Sequence, residues 1–218
     1  MNFYQKPPFW LKALTQTCLL WQLPAGKKRL YLTFDDGPNP GITGEILRLL
    51  SSFHAHATFF LLGEKALQQP ALVDEILRSG HGLGSHGLKH IDGWKTSTNR
   101  YVRNVENHPL LQAEKLFRPP YGRITPAQAL ALKKRNFHIV MWSISARDYE
   151  AKTNLDKALK NLVTTSGDGS IVLFHDSPQA AMNCLYLLPK FLDHFLHENY
   201  RFEVLPGAYR HSVIDAKT

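Results

Sequence analysis

Arg29-Leu30-Tyr31-Leu32-Thr33-Phe34-Asp35-Asp36-Gly37-Pro38 decides how the rest of the chain is read. Its first six residues, mostly apolar and aromatic with β-branched Thr33, read as a strand, and Gly37-Pro38 stops it. The next apolar run, 42–53, has helical spacing. Thr43 stands where an N-cap belongs, and Ile46, Leu47, Leu49 and Leu50 fall on or near one face. Residues 57–62 read as a second strand. The alternation then continues. Helices are expected over 70–79 (closed by Gly80), 98–112 (disturbed by Pro109), 126–135, 155–162 and 182–198. Strands are expected over 81–84, 116–117, 137–144, 170–174 and 202–205. Regular β/α alternation puts parallel strands inside a layer of helices. The expected fold is therefore α/β, a single distorted (β/α) barrel, with an open doubly wound sheet as the second choice.

The chain has 218 residues, of which 44% are hydrophobic and 20% charged. That supports one domain with a full core and excludes disordered and low-complexity classes. No stretch has the 18 or so uninterrupted apolar residues of a membrane span. The formal charge of +8 suits a basic enzyme or an anionic partner. The basic residues come in small groups, Lys27-Lys28-Arg29 and Lys133-Lys134-Arg135, with no nucleic-acid motif around them, so nucleic acid is not an expected partner. Cys18 and Cys184 have neither metal nor redox spacing and are expected as buried free thiols. Residues 9–23 are apolar-rich but broken by Lys12, Thr15, Gln16, Thr17 and Gln22, and no small-residue cleavage site follows. A cleaved export signal is not expected, and the cytoplasm is the expected location. Trp10, Leu11, Leu14, Cys18 and Trp21 recur at helical spacing. They predict an amphipathic helix packed on the domain, with a membrane-surface anchor as the alternative. The expected organisation is an N-terminal segment 1–26, a main domain 27–205 and a tail 206–218.

Polar residues collect directly after the expected strands, where the loops of parallel β/α folds converge on a site. Asp35 and Asp36 are adjacent, so on a continuing strand they would face opposite ways. The stop at Gly37-Pro38 lets both turn to one place, although Asp-Asp-Gly-Pro is also good turn chemistry. His86 and His90 lie four apart, and two His with one carboxylate form a common ligand set for Zn²⁺ and similar ions. The chain holds 11 His, so one such pair is weak alone. His54, His56 and His81 read as surface or strand-end residues. Arg118 is presented rigidly by Pro119 and Pro120. His175-Asp176 reads as a general acid or a polar strand terminus.

In this order the motifs resemble the polysaccharide deacetylases, the NodB-homology carbohydrate esterases of family 4. The resemblance runs from about Lys27 to Leu205. Thr33-Phe34-Asp35-Asp36-Gly37-Pro38, Arg118-Pro119-Pro120-Tyr121-Gly122 and Val172-Leu173-Phe174-His175-Asp176 match fully. Gly84-Ser85-His86-Gly87-Leu88-Lys89-His90 matches except at Gly87, where the family has Ser or Thr. Ser145-Ala146-Arg147-Asp148-Tyr149 stands where the family has Asp-x-x-Asp-Trp, so its first Asp is Ser145 and its Trp is Tyr149. Ala57-Thr58-Phe59-Phe60 also fits.

The resemblance implies a distorted barrel and one divalent metal, Zn²⁺ first, with Co²⁺ or Ni²⁺ as alternatives, held by Asp36, His86 and His90. It implies Asp35 as general base, His175 as general acid and the backbone N–H of Tyr121 as oxyanion donor. Arg118 would pair with Asp35, and Asp148 with His175. Gly87 would cost a hydroxyl that steadies the His loop, and Ser145 a charge near Arg118. The implied activity is removal of N-acetyl groups from amino sugars of a glycan such as a chito-oligosaccharide or peptidoglycan. Rivals are an O-acetyl xylan esterase, an N-deformylase of a lipid-linked amino sugar, and a degenerate carbohydrate-binding module.

Overall fold

The structure is a computed structural model describing residues 6–110 and 115–210. Its strands are β1 Leu19–Leu20, β2 Arg29–Asp35, β3 Ala57–Leu61, β4 Gly82–Ser85, β5 Leu116–Phe117, β6 His138–Val140, β7 Ile144–Ser145, β8 Ile171–His175 and β9 Arg201–Phe202. Its α-helices are α1 Phe9–Thr15, α2 Ile42–Ser52, α3 Gly63–Gln68, α4 Pro70–Arg78, α5 Thr98–Glu106, α6 Pro126–Lys133, α7 Leu155–Thr165 and α8 Ala181–His197. The sheet runs β1-β6-β5-β4-β3-β2-β8-β7, with β9 added beside β2. Every ladder is parallel.

The expected strand 137–144 is broken in two, and the break brings the two ends of the sheet together. β6 pairs with β5 and β1, whereas β7, four residues on, pairs with β8 at the far end of the sheet. Between them Met141 donates its N–H to Leu20 O (2.7 Å), and Ser143 donates its N–H to Ile171 O (2.8 Å). The Ser143 hydroxyl donates to Trp21 O (2.9 Å) and accepts from Ile171 N–H (3.1 Å). One run of chain thus belongs to both ends of the sheet.

Side chains alternate across each strand, and two cores result. Leu30, Leu32 and Phe34 of β2, Ala57, Phe59 and Leu61 of β3, and Val172 and Phe174 of β8 pack outward under α2 and α8. Tyr31, Phe60, Phe117, Ile171 and Leu173 pack inward, with Trp142 from the crossing. The inward parity of Tyr31 passes through Thr33 to Asp35, and that of Ile171 and Leu173 to His175. Asp35 and His175 are register partners on adjacent strands, so alternation and pairing alone deliver them to one end of the barrel interior.

The N-terminal expectation needs correcting. The helix stops at Thr15 and buries none of its residues. Phe9, Trp10 and Leu14 are exposed, and only Leu11 packs on the inner core. Seven residues make two turns, too few to bury a stripe. The apolar residues beyond them serve the sheet instead: Leu19 and Leu20 pair with Ile139 and Val140. Trp21 is buried, its indole N–H donating to Thr15 Oγ1 (2.8 Å). Cys18 is exposed rather than buried, whereas Cys184 lies in the core; both are free thiols. His81 is buried too, against the Phe59 ring, and burial, then His56, push its pKa down to about 4. Of the expected helix 98–112, α5 ends at Glu106, and residues 111–112 lie outside the described residues, as do 1–5 and 211–218 of the terminal segments. Thr43 is not an N-cap but sits inside α2. Its hydroxyl donates to Asp176 Oδ2 (2.7 Å), and Asn39 N–H donates back to it (2.7 Å). Among the described residues no helix is long and apolar enough to cross a membrane.

Gly37 shows how tightly the site is built into this frame. A Cβ there would strike the Asp176 carboxyl, whose Cγ lies 2.9 Å from its position. Gly37→Ala is therefore expected to destabilise the fold by about 1–3 kcal/mol, the usual cost of overpacking. Urea unfolding checks this; an unchanged midpoint would show that the turn relaxes freely.

Candidate active site

The strand ends bring two acid–base pairs to the two sides of a cluster of possible metal ligands. Asp35 is buried, and its Oδ1 accepts from Arg118 Nη1 at 2.8 Å. Arg118 is wholly buried, and its other donors are matched. Nη1 also donates to Thr33 Oγ1 (2.8 Å), Nη2 to Met141 O (2.8 Å) and Nε to Val140 O (3.3 Å). The guanidinium lies 4.2 Å from the centre of the Phe60 ring. The carbonyls of the seam thus serve Arg118 where the family's extra carboxylate is absent. Ser145 makes no hydrogen bond to Arg118 and instead accepts from Arg147 N–H (3.2 Å).

Asp36 turns into the same cleft because its backbone enters the left-handed region, φ 75°. That answers how adjacent carboxylates share one site. Lys65 of α3 holds the turn, donating to Asp36 O (2.9 Å) and Asn39 Oδ1 (2.8 Å). Asp36 Oδ1 lies 3.6 Å from His86 Nε2 and 3.3 Å from His90 Nε2. One ligand atom from each of the three lies within 4.8 Å of the others. Donors about 2.1 Å from one tetrahedral ion stand about 3.4 Å apart, so the set fits a small divalent cation. His86 is prepared for that role. Its Nδ1–H donates to Arg118 O (2.8 Å), which leaves Nε2 as a lone pair facing the cluster. Burial pushes its pKa down to about 3, with Asp36 opposing and His90 and Arg118 assisting.

On the other side His175 Nδ1 donates to Asp148 Oδ1 (2.8 Å), and Asp148 Oδ2 accepts the His175 backbone N–H (2.8 Å). Burial alone would lower the imidazole pKa. Asp148, then Asp36 and Asp35, outweigh it and raise the value to about 9. Asp176 is not aimed at the cleft. It backs the turn, with burial pushing its pKa up to about 7 against Thr43 and Lys65. Tyr121 has φ 59°, its ring stands edge-on to His90 at 4.4 Å, and its backbone N–H has no acceptor among the described residues. The cleft encloses about 630 Å³ and is walled by Trp142, Leu173, Tyr149 and Arg123 besides these groups. Of the eight residues singled out from the sequence, Asp35, Asp36, His86, His90, Tyr121 and His175 line it, and Arg118 and Asp148 stand buried behind Asp35 and His175.

Asn104 was not foreseen. Its Nδ2 donates to Lys89 O (2.9 Å), its Oδ1 accepts from Lys89 N–H (3.0 Å), and its backbone O accepts from Leu88 N–H (2.8 Å). Gly87 makes this clamp fit. It has φ 85°, and a Cβ there would come within 2.6 Å of Asn104 Nδ2. The loop between His86 and His90 is therefore not left loose by Gly87. Ser85 Oγ takes the Gly87 N–H (3.0 Å), and Asn104 holds the next two residues. No local pattern marks Asn104, since it reads as one polar residue on a polar helix.

A curled, barrel-like parallel sheet carrying paired acid–base groups beside a His–carboxylate cluster defines a hydrolase of the metal-assisted class. A profile of the family described as Polysaccharide deacetylase matches residues 22–140. The chain belongs to the polysaccharide deacetylase family. It is 30% identical over 198 residues to a protein of Bacillus cereus named peptidoglycan-N-acetylglucosamine deacetylase, covering 88% of this chain and 92% of that one. It is 30% identical over 162 residues to a chitooligosaccharide deacetylase of a Bradyrhizobium species, covering 70% and 72%. A crystal structure of a peptidoglycan N-acetylglucosamine deacetylase superposes with a TM-score of 0.82 at 30% identity, over 93% of this chain and 96% of that one. A pseudoenzyme of carbohydrate esterase family 4 from Bacillus anthracis superposes at 0.76 with 18% identity, over 86% and 67%. That likeness shows the fold alone, so activity has to be argued from the site.

Proposed function

We propose that the protein hydrolyses the N-acetyl groups of amino sugars in a glycan, with peptidoglycan N-acetylglucosamine the first substrate and chito-oligosaccharides the second. The observation that carries this is the arrangement of Asp35–Arg118 and Asp148–His175 on either side of Asp36, His86 and His90 in one cleft. Asp36, His86 and His90 would hold one divalent ion, Zn²⁺ first. The chemistry an ion supplies there is Lewis-acid polarisation of carbonyl and water. Asp35 takes a proton from the attacking water through Oδ2, because Oδ1 is held by Arg118. The Tyr121 N–H donates to the oxyanion that forms as water adds to the acetyl carbon. His175 gives its proton to the sugar nitrogen as the C–N bond breaks, leaving acetate and a free amine. Trp142 and Leu173 give the acetyl methyl an apolar wall.

Acetate release from peptidoglycan, chito-oligosaccharides and acetylxylan tests the reading. The expected result is release from the first two, lost on chelation and restored by Zn²⁺, Co²⁺ or Ni²⁺. Release from acetylxylan alone would overturn it. Asn104→Ala should lower metal affinity roughly 10-fold, the lower end for groups that orient metal ligands, as read by chelator competition. An unchanged affinity would mean that the loop holds itself.

A further inference from the structure

We propose that a basic groove beside the catalytic cleft binds the carboxylates of an anionic glycan and so selects peptidoglycan over neutral chitin. The proposal rests on the deacetylase reading and adds a substrate-selecting site to it. The groove encloses about 720 Å³ between the loop after β7 and helix α7. Its charged lining is Arg147, Lys152, Lys157 and Lys160, with Glu150 as the only acid. Arg147 and Glu150 neutralise each other through two contacts, Nε–Oε1 at 2.7 Å and Nη2–Oε2 at 2.5 Å. Three ammonium groups remain, and among the described residues none of the three has an ion-pair or hydrogen-bond partner. Asp156, in the first turn of α7, is outside the lining and accepts from the Tyr186 hydroxyl at 3.0 Å.

Position ties this groove to catalysis. Glu150 lines both the groove and the cleft that holds Asp35 and His175. A glycan with one sugar at the catalytic residues therefore has the lysines along its path on this side. Chitin would bring only neutral sugars there. Peptidoglycan carries a lactyl carboxylate on alternate sugars, or a peptide ending in carboxylates. Lysines on flexible stems suit a charge whose position varies along a polymer. Thr153, Asn154 and Asn161 in the same lining offer hydrogen bonds to sugar hydroxyls. The surplus of basic residues over the whole chain draws the same polymer.

The test is the triple variant Lys152→Gln, Lys157→Gln, Lys160→Gln, which alters only surface side chains. Its substrates are muramidase-released peptidoglycan fragments, the same fragments with carboxylates methyl-esterified, and chitohexaose. KM for native fragments is expected to rise roughly 10-fold, three exposed charge contacts being lost, with kcat unchanged. Chitohexaose kcat/KM should stay within about twofold. Wild-type enzyme should prefer native to esterified fragments, and raising salt from about 0.15 M to about 0.5 M should erase that preference. An unchanged KM for native fragments, or an equal loss on chitohexaose, would overturn the groove. If wild-type protein releases acetate from no substrate, the deacetylase reading fails first. Calorimetric binding of native against esterified fragments then decides the groove separately, equal affinities refuting it.

Discussion

Asp35→Asn is expected to remove turnover by roughly 10²–10⁴-fold, the scale of a general base, while metal content stays near that of the wild type. The geometry separates the two adjacent aspartates. Asp36 Oδ1 stands 3.3 and 3.6 Å from the facing imidazole nitrogens, whereas Asp35 Oδ2 is 3.9 Å from His86 and its other oxygen is committed to Arg118. An amide at 35 keeps an oxygen for Arg118 but has no basic oxygen for water. Removing a partner from a buried ion pair costs about 3–5 kcal/mol when the remaining charge is abandoned. Here Thr33, Val140 and Met141 still accept from Arg118. The loss of stability should therefore fall below that range and leave a folded protein to assay. Asp36→Asn should lose both turnover and metal affinity. Equal metal loss in the two variants, measured on folded protein, would mean that the roles are misassigned.

The likeness to a pseudoenzyme makes this test more than a formality. In this chain outward-facing Leu30, Leu32, Phe34 and Phe174 hold the sheet to its helices whatever stands at the strand ends. The inward positions beyond them are free of that duty. Asp35 and His175 stand there with Arg118 and Asp148, all of them buried or nearly so. Burying such groups costs stability unless each has a partner, and every one has one. A binding module would gain nothing from a partly buried imidazole hydrogen-bonded to a wholly buried carboxylate.

What the sequence made legible follows from periodicity and punctuation. The run 29–34 ending in Gly37-Pro38 disclosed both a strand and the place where its polar end would lie. Short-range patterns also located Arg118 and His175 at strand ends. Other features depended on long-range pairing and left no local trace. The split of 137–144 is invisible because both halves are equally apolar; only the partners Leu20 and Ile171 reveal that the chain crosses a seam there. The N-terminal helix was overextended because Cys18 and Trp21 continue the helical spacing of Trp10, Leu11 and Leu14, although the chain between them pairs as an edge strand. The Gly87 departure looked like a loss, since the residue that compensates, Asn104, lies 17 positions away on α5. Lys152, Lys157 and Lys160 form no sequence motif, and only the fold sets them around one groove beside the cleft.

His175 carries the remaining large effect. An amine leaves poorly without a proton, so the imidazole must be charged when the tetrahedral species collapses. Burial works against that charge, and Asp148, with Asp36 and Asp35, reverses the balance and holds the pKa near 9. A cation on Asp36 would cancel that residue's share, leaving Asp148 as the main support. Asp148→Asn keeps the shape but not the charge, and the burial penalty stays. The pKa should then fall from about 9 toward or below the ordinary 6.5. Activity requires the protonated form, so the alkaline limb of the pH–rate profile should move down by about 2 units or more. The variant should be nearly silent at pH 8, where the wild type is active, and recover in part as pH is lowered. His175→Ala should cut kcat roughly 10²–10⁴-fold on N-acetyl substrates, yet largely spare p-nitrophenyl acetate, whose leaving group needs no proton. Both variants should keep their metal, since neither side chain belongs to the ligand cluster. If the two residues merely tie β7 to β8, both substitutions lower the melting temperature while the surviving enzyme keeps the wild-type pH profile, and that pattern would refute the acid assignment.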